Sequence, residues 1–268
     1  MTRLNLQTKS SSAMNLSKWT AFVGVFAACL APVDSIGQTT GDVVSGHLVV
    51  LEARTDKPVA KIPLPPGTWE VSDSVLRKSL GNDAADMRDI RLIQVVKDDQ
   101  GLVLHHTIEI TMKVDGPNIT WNDEPCKISP VIAKNDFGTR LFKQKCLTLI
   151  ADRYLQNNSA YTQKSLADLA RRGVRHDFNA LALTYTRFGD FGHFLIVRHF
   201  FFPSRYGLEN PRIGILNESP WHPSRVGLDP TRQRLVDAIF KYGEQIVPAL
   251  DKAYMREEPG ITESFELR

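Results

Sequence analysis

The chain has 268 residues, 33 of them basic and 30 acidic, so its net charge is only +3, and 42% of it is hydrophobic. That composition suits a globular protein with an ordinary core. No stripe of Lys and Arg runs through it, which sets aside nucleic acid as a partner.

The chain opens with a segment that reads as a cleavable secretory signal over residues 1–37. Lys18 precedes an almost wholly apolar run from Trp19 to Ala31. That run is shorter than the ~20 residues a membrane-crossing helix needs, and it fits the apolar centre of a signal peptide. Small residues at Ser35 and Gly37 place cleavage before Gln38. Ala27-Ala28-Cys29 supplies an alternative, a lipoprotein signal that would leave a lipid anchor on Cys29. An uncleaved anchor is disfavoured by length. Removing Arg3, Lys9, Lys18 and Asp34 with the signal leaves residues 38–268 close to neutral. They are read as one exported domain, periplasmic or secreted, with no transmembrane span.

Two cysteines remain in that domain, Cys126 and Cys146. In an oxidising compartment such an isolated pair is expected to form a disulfide. The Asn135-Asp136-Phe137-Gly138 segment between them reads as a turn that would bring the ends together. A redox pair would have Cys-x-x-Cys spacing, and a zinc site would need further ligands at close spacing.

Along the mature chain, His47–Ala53 and Val59–Leu64 read as strands. Pro65-Pro66-Gly67 follows, and extended structure resumes at Thr68–Val71. Prolines cannot donate to a ladder, so this stretch is expected at an edge or a kink. Ser74–Leu80 reads as a short helix closed by Gly81-Asn82. Ile90–Lys97 and Leu102–Val114 form a hairpin about Asp98–Gly101. In its second arm Leu104, His106, Ile108, Ile110, Met112 and Val114 alternate with Val103, His105, Thr107, Glu109, Thr111 and Lys113. Such alternation marks an antiparallel strand with one face on a core.

Ser159 caps a predicted helix over Ala160–Arg172, with Leu166, Leu169 and Ala170 inward and Gly173 at its end. A second hairpin joins Leu181–Arg187 to His193–Phe202, and the latter arm is apolar on both faces, as a central strand would be. Pro203–Leu228 shows neither period. Asp229-Pro230 then opens a helix with Leu235, Ile239, Tyr242 and Ile246 on one face. Pro248 is expected to kink or end it. The sum is an α+β fold, an antiparallel sheet built from hairpins with helices packed on it.

Chemistry motifs are sparse. His105 and His106 are adjacent on a strand, so in a regular strand their side chains oppose each other and cannot share a metal. No His-Glu-x-x-His or Gly-x-Ser-x-Gly occurs. Asp190-Phe191-Gly192 lacks every other kinase element and reads as a hairpin connection. No metal and no cofactor is expected. The Phe194–Phe202 strand reads as core rather than as a membrane patch, and Arg171, Arg172 and Arg175 complement a helix end.

The best remaining candidate is the long segment after the second hairpin. Connections of this length are often functional, and Arg with aromatic side chains are the usual anchors of an interface. Arg205, Tyr206, Trp221, His222 and Arg225 are the predicted binding residues, with Arg212 beside them. The expected function is non-enzymatic binding of a protein, an envelope component or a small ligand. The alternative is an envelope hydrolase whose site assembles from distant residues such as His176, Asp177 and His222. A cleft of converging polar groups would favour the hydrolase, and an exposed patch at Trp221 the binding domain.

Overall fold

The computed structural model describes residues 39–78, 85–117, 125–140, 143–154, 160–189, 192–211 and 218–257. The segment read as a signal, with Cys29, the predicted caps Ser159 and Gly81-Asn82, Asp190-Phe191 and Arg212 lie outside the described residues.

Ten strands are described: β1 (Val43–Val44), β2 (His47–Leu51), β3 (Pro58–Pro63), β4 (Trp69–Arg77), β5 (Asp86–Asp98), β6 (Gly101–Asp115), β7 (Ala133–Arg140), β8 (Lys143–Arg153), β9 (Asn179–Phe188) and β10 (Phe194–Phe201). The helices are α1 (Ala160–Arg171), α2 (Pro223–Val226) and α3 (Pro230–Tyr254), with a 3-10 turn at Pro203–Tyr206. Eight strands make one antiparallel sheet in the order β1-β4-β5-β6-β10-β9-β8-β7, and β2 with β3 forms a small second sheet. The fold is α+β.

Both predicted hairpins are present, and β10 lies in the middle of the sheet between β6 and β9. Its period-two pattern feeds two cores. Leu195, Val197 and Phe201 join Ile108, Ile110, Tyr185 and the buried face of α3. Phe200 and Phe202 point the other way, into a smaller core with Ile93, Tyr154, Leu169 and Val174. One sheet face is therefore covered by α3 and the β2–β3 hairpin, and the other by α1 and the chain that follows it. A Cβ on Gly243 would lie 2.9 Å from methyls of Leu147 and Leu183, so glycine lets α3 sit closely on β8 and β9.

Several expectations are corrected. Ser74–Arg77 is strand, because it pairs residue by residue with Ile90–Met87 of β5, and that pairing overrides a weak local helix signal. Pro65-Pro66-Gly67 is a crossing point, where the chain leaves the small sheet and enters the large one. Asn135–Gly138 lies within β7, with a bulge between Asp136 and Gly138 that absorbs its turn character. Ala170 is exposed, while Leu169 is buried and Leu166 half-buried. α3 runs on through Pro248, since Leu250, Ala253 and Tyr254 are all buried beyond it and offset the missing hydrogen bond. Its cap is as predicted: the Asp229 carboxylate accepts from Thr231 N at 2.8 Å.

Cys126 and Cys146 are joined, with Cα atoms 5.8 Å apart. Among the described residues no helix is long and apolar enough to cross a membrane.

Candidate ligand-binding cleft

The β5–β6 ladder shifts register twice, once between Asp86 and Met87 and once near the cleft. Gln94 pairs with His106 and Val95 with Leu104, so His105 has no partner residue on β5. This bulge changes the phase of β6. Leu104, expected on the face of Ile108, instead belongs to the smaller core with Ile93 and Tyr154. His105 and His106, expected on opposite faces, both line the same cleft.

The cleft has a volume of about 520 Å³, within the usual range for small-molecule sites. Its floor is Gln94, Val96, His105 and His106 of the hairpin. One wall is the Pro65–Pro66 crossing, whose Pro65 carbonyl accepts a hydrogen bond from Trp69 Nε1 at 3.0 Å. Gly67 sits behind it at φ +112°, where any Cβ would collide with the Gln94 amide. The other walls are Phe201, Arg205 and Tyr206 from the end of β10 and its 3-10 turn, and Tyr242 from α3.

His106 is held by rings on three sides. Trp69 meets it edge-on at 5.2 Å, Phe201 lies 4.5 Å away and His199 5.5 Å away. Its Nε2 is buried and has no hydrogen-bond partner among the described residues. Burial holds the His106 pKa well below the imidazole value, with His199 and His105 adding to the effect. The same desolvation lowers His199 to about 3. His199 Nδ1 lies 3.5 Å from the Tyr242 hydroxyl. His105 is depressed by partial burial and then by the positive field of Arg205. Burial raises the hydroxyls of Tyr206, to about 12, and of Tyr242. These groups are all neutral near pH 7.

Among the described residues Arg205 supplies the only formal charge in the lining. Its Nε donates to the Leu104 carbonyl at 3.1 Å, which fixes the guanidinium beside the bulge. Asp177 Oδ1 lies 3.6 Å from one terminal nitrogen, too long for a hydrogen bond. Asp177 accepts instead from Asn210 Nδ2 at 3.0 Å and from the Ser204 hydroxyl.

The five predicted binding residues thus divide. Arg205 and Tyr206 line the cleft. Trp221 is 2% exposed and packs in the larger core, so no exposed patch forms there. The His222 ring accepts from Ser224 N as the cap of α2, and Arg225 donates to the Glu218 carbonyl at 2.9 Å. Gln94, His105, His106, Phe201, Tyr242 and the two prolines escaped the sequence reading as a site. Among the described residues no hydrogen bond or ion pair joins His222 to His176 or Asp177. Arg171, Arg172 and Arg175 are ion-paired to Asp168, Glu70 and Asp98. Cys126, Asp136 and Cys146 have ligand atoms within 4.8 Å of one another, but both sulfurs are joined to each other.

Fold and cleft together define an α+β protein with a ring-lined pocket at a sheet bulge, its lining free of carboxylates among the described residues. No protein-family model, no curated protein and no solved structure matches this chain.

Proposed function

We propose that this is an exported, non-enzymatic binding domain whose cleft between the Pro65–Pro66 crossing and the Arg205–Tyr206 turn takes a small ligand. The observation that carries the reading is the cleft's chemistry. Its polar groups converge, as a catalytic site's would, but they are shifted the wrong way for catalysis. A general acid or base works best with a pKa near the operating pH. Desolvation here moves the imidazoles down and the phenols up, which turns both into neutral hydrogen-bonding groups. Among the described residues the lining holds no Ser, Thr, Cys, Asp or Glu that would serve as nucleophile or carboxylate base. Ten side chains of mixed ring and hydrogen-bonding character are what small-ligand pockets are made of.

Trp69 is buried and in ring contact with His106, so its fluorescence is an internal reporter of the cleft floor. Screening small amphipathic compounds against that signal tests the reading. Saturable changes lost in Tyr206→Ala support it. Turnover of any screened compound, lost on replacing His105 or His106, overturns it in favour of an enzyme.

Export is the second part of the proposal. Its supports are the apolar Trp19–Ala31 run and the disulfide. Intact mass of the protein from its native cell tests it. A chain starting at Gln38, lighter by two hydrogens than after reduction, fits a released domain. An acylated start at Cys29 fits a tethered one, and an unprocessed Met1 or Met14 start overturns export by cleavage.

A further inference from the structure

We infer that the cleft's ligand is a small aromatic carboxylate, its ring among the prolines and tyrosines and its carboxylate at the Arg205 end. The inference rests on the cleft reading above and adds the ligand's class.

Three observations carry it. First, the lining is rich in rings. Pro65, Pro66, Phe201, Tyr206 and Tyr242 are uncharged rings. Flat ring faces favour a flat apolar body over a branched or flexible one. Second, the polar groups cluster on one stretch of backbone. The Arg205 guanidinium is pinned to the Leu104 carbonyl, and the two residues that follow Leu104 are His105 and His106. The bulge is what turns both imidazoles toward that end. His106 Nε2 is buried without a partner among the described residues, although three rings hold its imidazole in place. The imidazole borders the cleft, but Nε2 itself has no exposed surface, so a ligand meets the ring rather than this atom. Third, the charge there is small and positive. Neither terminal nitrogen of Arg205 donates a hydrogen bond among the described residues. Its field still reaches His105, although Asp177 stands 3.6 Å away. One partly balanced guanidinium suits a single negative charge. A phosphate dianion would want more than one cation, and among the described residues the lining has no other. A planar carboxylate matches the guanidinium fork.

The test is calorimetry on the purified protein at neutral pH with benzoate, phenylacetate and 3-phenylpropionate, each beside its primary amide. The amide keeps the shape and removes the charge. At least one acid should bind ~10-fold or more tightly than its amide, the size of one charge-assisted contact. Arg205→Gln should bring acid and amide together, while Arg205→Lys keeps part of the gap. His106→Phe retains a ring among its neighbours and should weaken both compounds. Imidazole proton resonances of His105 and His106 report occupancy separately. Amides that move those resonances and bind as tightly as the acids overturn the carboxylate assignment and leave the cleft standing. If no acid or amide moves either imidazole, the cleft reading falls with it.

Discussion

The two halves of the segment that follows β10 have similar composition and opposite roles. In the first half Arg205 and Tyr206 stand at the mouth of a cleft. In the second, Trp221 is a core residue, and His222 and Arg225 bond to their own chain neighbours. Arg with an aromatic residue is therefore no signature of a binding surface by itself. What separates the halves is the layer beneath. The first half lies over the bulge of β6, which leaves a space. The second feeds α3, which seals the larger core.

The sharpest way to break this contrast is Trp221→Ala. Removing a buried Trp side chain should lower stability by about 3–5 kcal/mol, measured by urea unfolding, with little change in ligand affinity at the cleft. A loss under about 1 kcal/mol, the median for an ordinary substitution, would mean that the second half is not structural.

The cleft floor should show itself in acid. His106 and His199 have depressed pKa values in the folded chain and ordinary ones, about 6.5, when unfolded. Below that ordinary value the unfolded chain takes up protons that the folded chain refuses. Stability therefore falls as pH drops from about 6.5 toward His199's value, at up to about 1.4 kcal/mol per pH unit for each imidazole. Urea midpoints between neutral and mildly acid pH measure this. His199→Phe should make the dependence shallower by one imidazole.

A smaller effect belongs to His222→Ala. It removes the cap of α2 and should cost about 1 kcal/mol, with ligand binding intact. The smallest is Arg205→Gln. Its ion pair with Asp177 is long and partly exposed, so thermal unfolding should change by less than about 1 kcal/mol. Its consequence appears in ligand titrations instead. Should Arg205→Gln prove more destabilising than Trp221→Ala, the contrast between the halves is wrong.

Much of the fold was legible because it follows local periodicities. Alternation marked the β5–β6 hairpin, apolarity on both faces marked β10 as central, and Asp229-Pro230 marked the start of α3. The β7–β8 pair was missed because β7 carries Asn135, Asp136 and Gly138, turn-forming residues that a bulge accommodates. Of the site, only Arg205 and Tyr206 were foreseen. Its other members come from β5, β6, α3 and the proline crossing, and sheet order brings them together, which no local pattern records. The slip itself falls at His105, and no break in the apolar pattern marks it: Val103 and Leu104, just before it, are consecutive in the strand, face opposite sides and are both buried.

The slip also bears on how the strand would pair if it were one residue shorter. Counting along the ladder, His105 is a supernumerary residue. With it deleted, Leu104 would still face Val95 and His106 would still face Gln94, each on its present side of the sheet. The scaffold therefore reads in frame without it. A His105 deletion should fold to the same two cores and lose one floor group of the pocket. The ladder accommodates His105 as a bulge, so what the residue contributes lies in the cleft it lines.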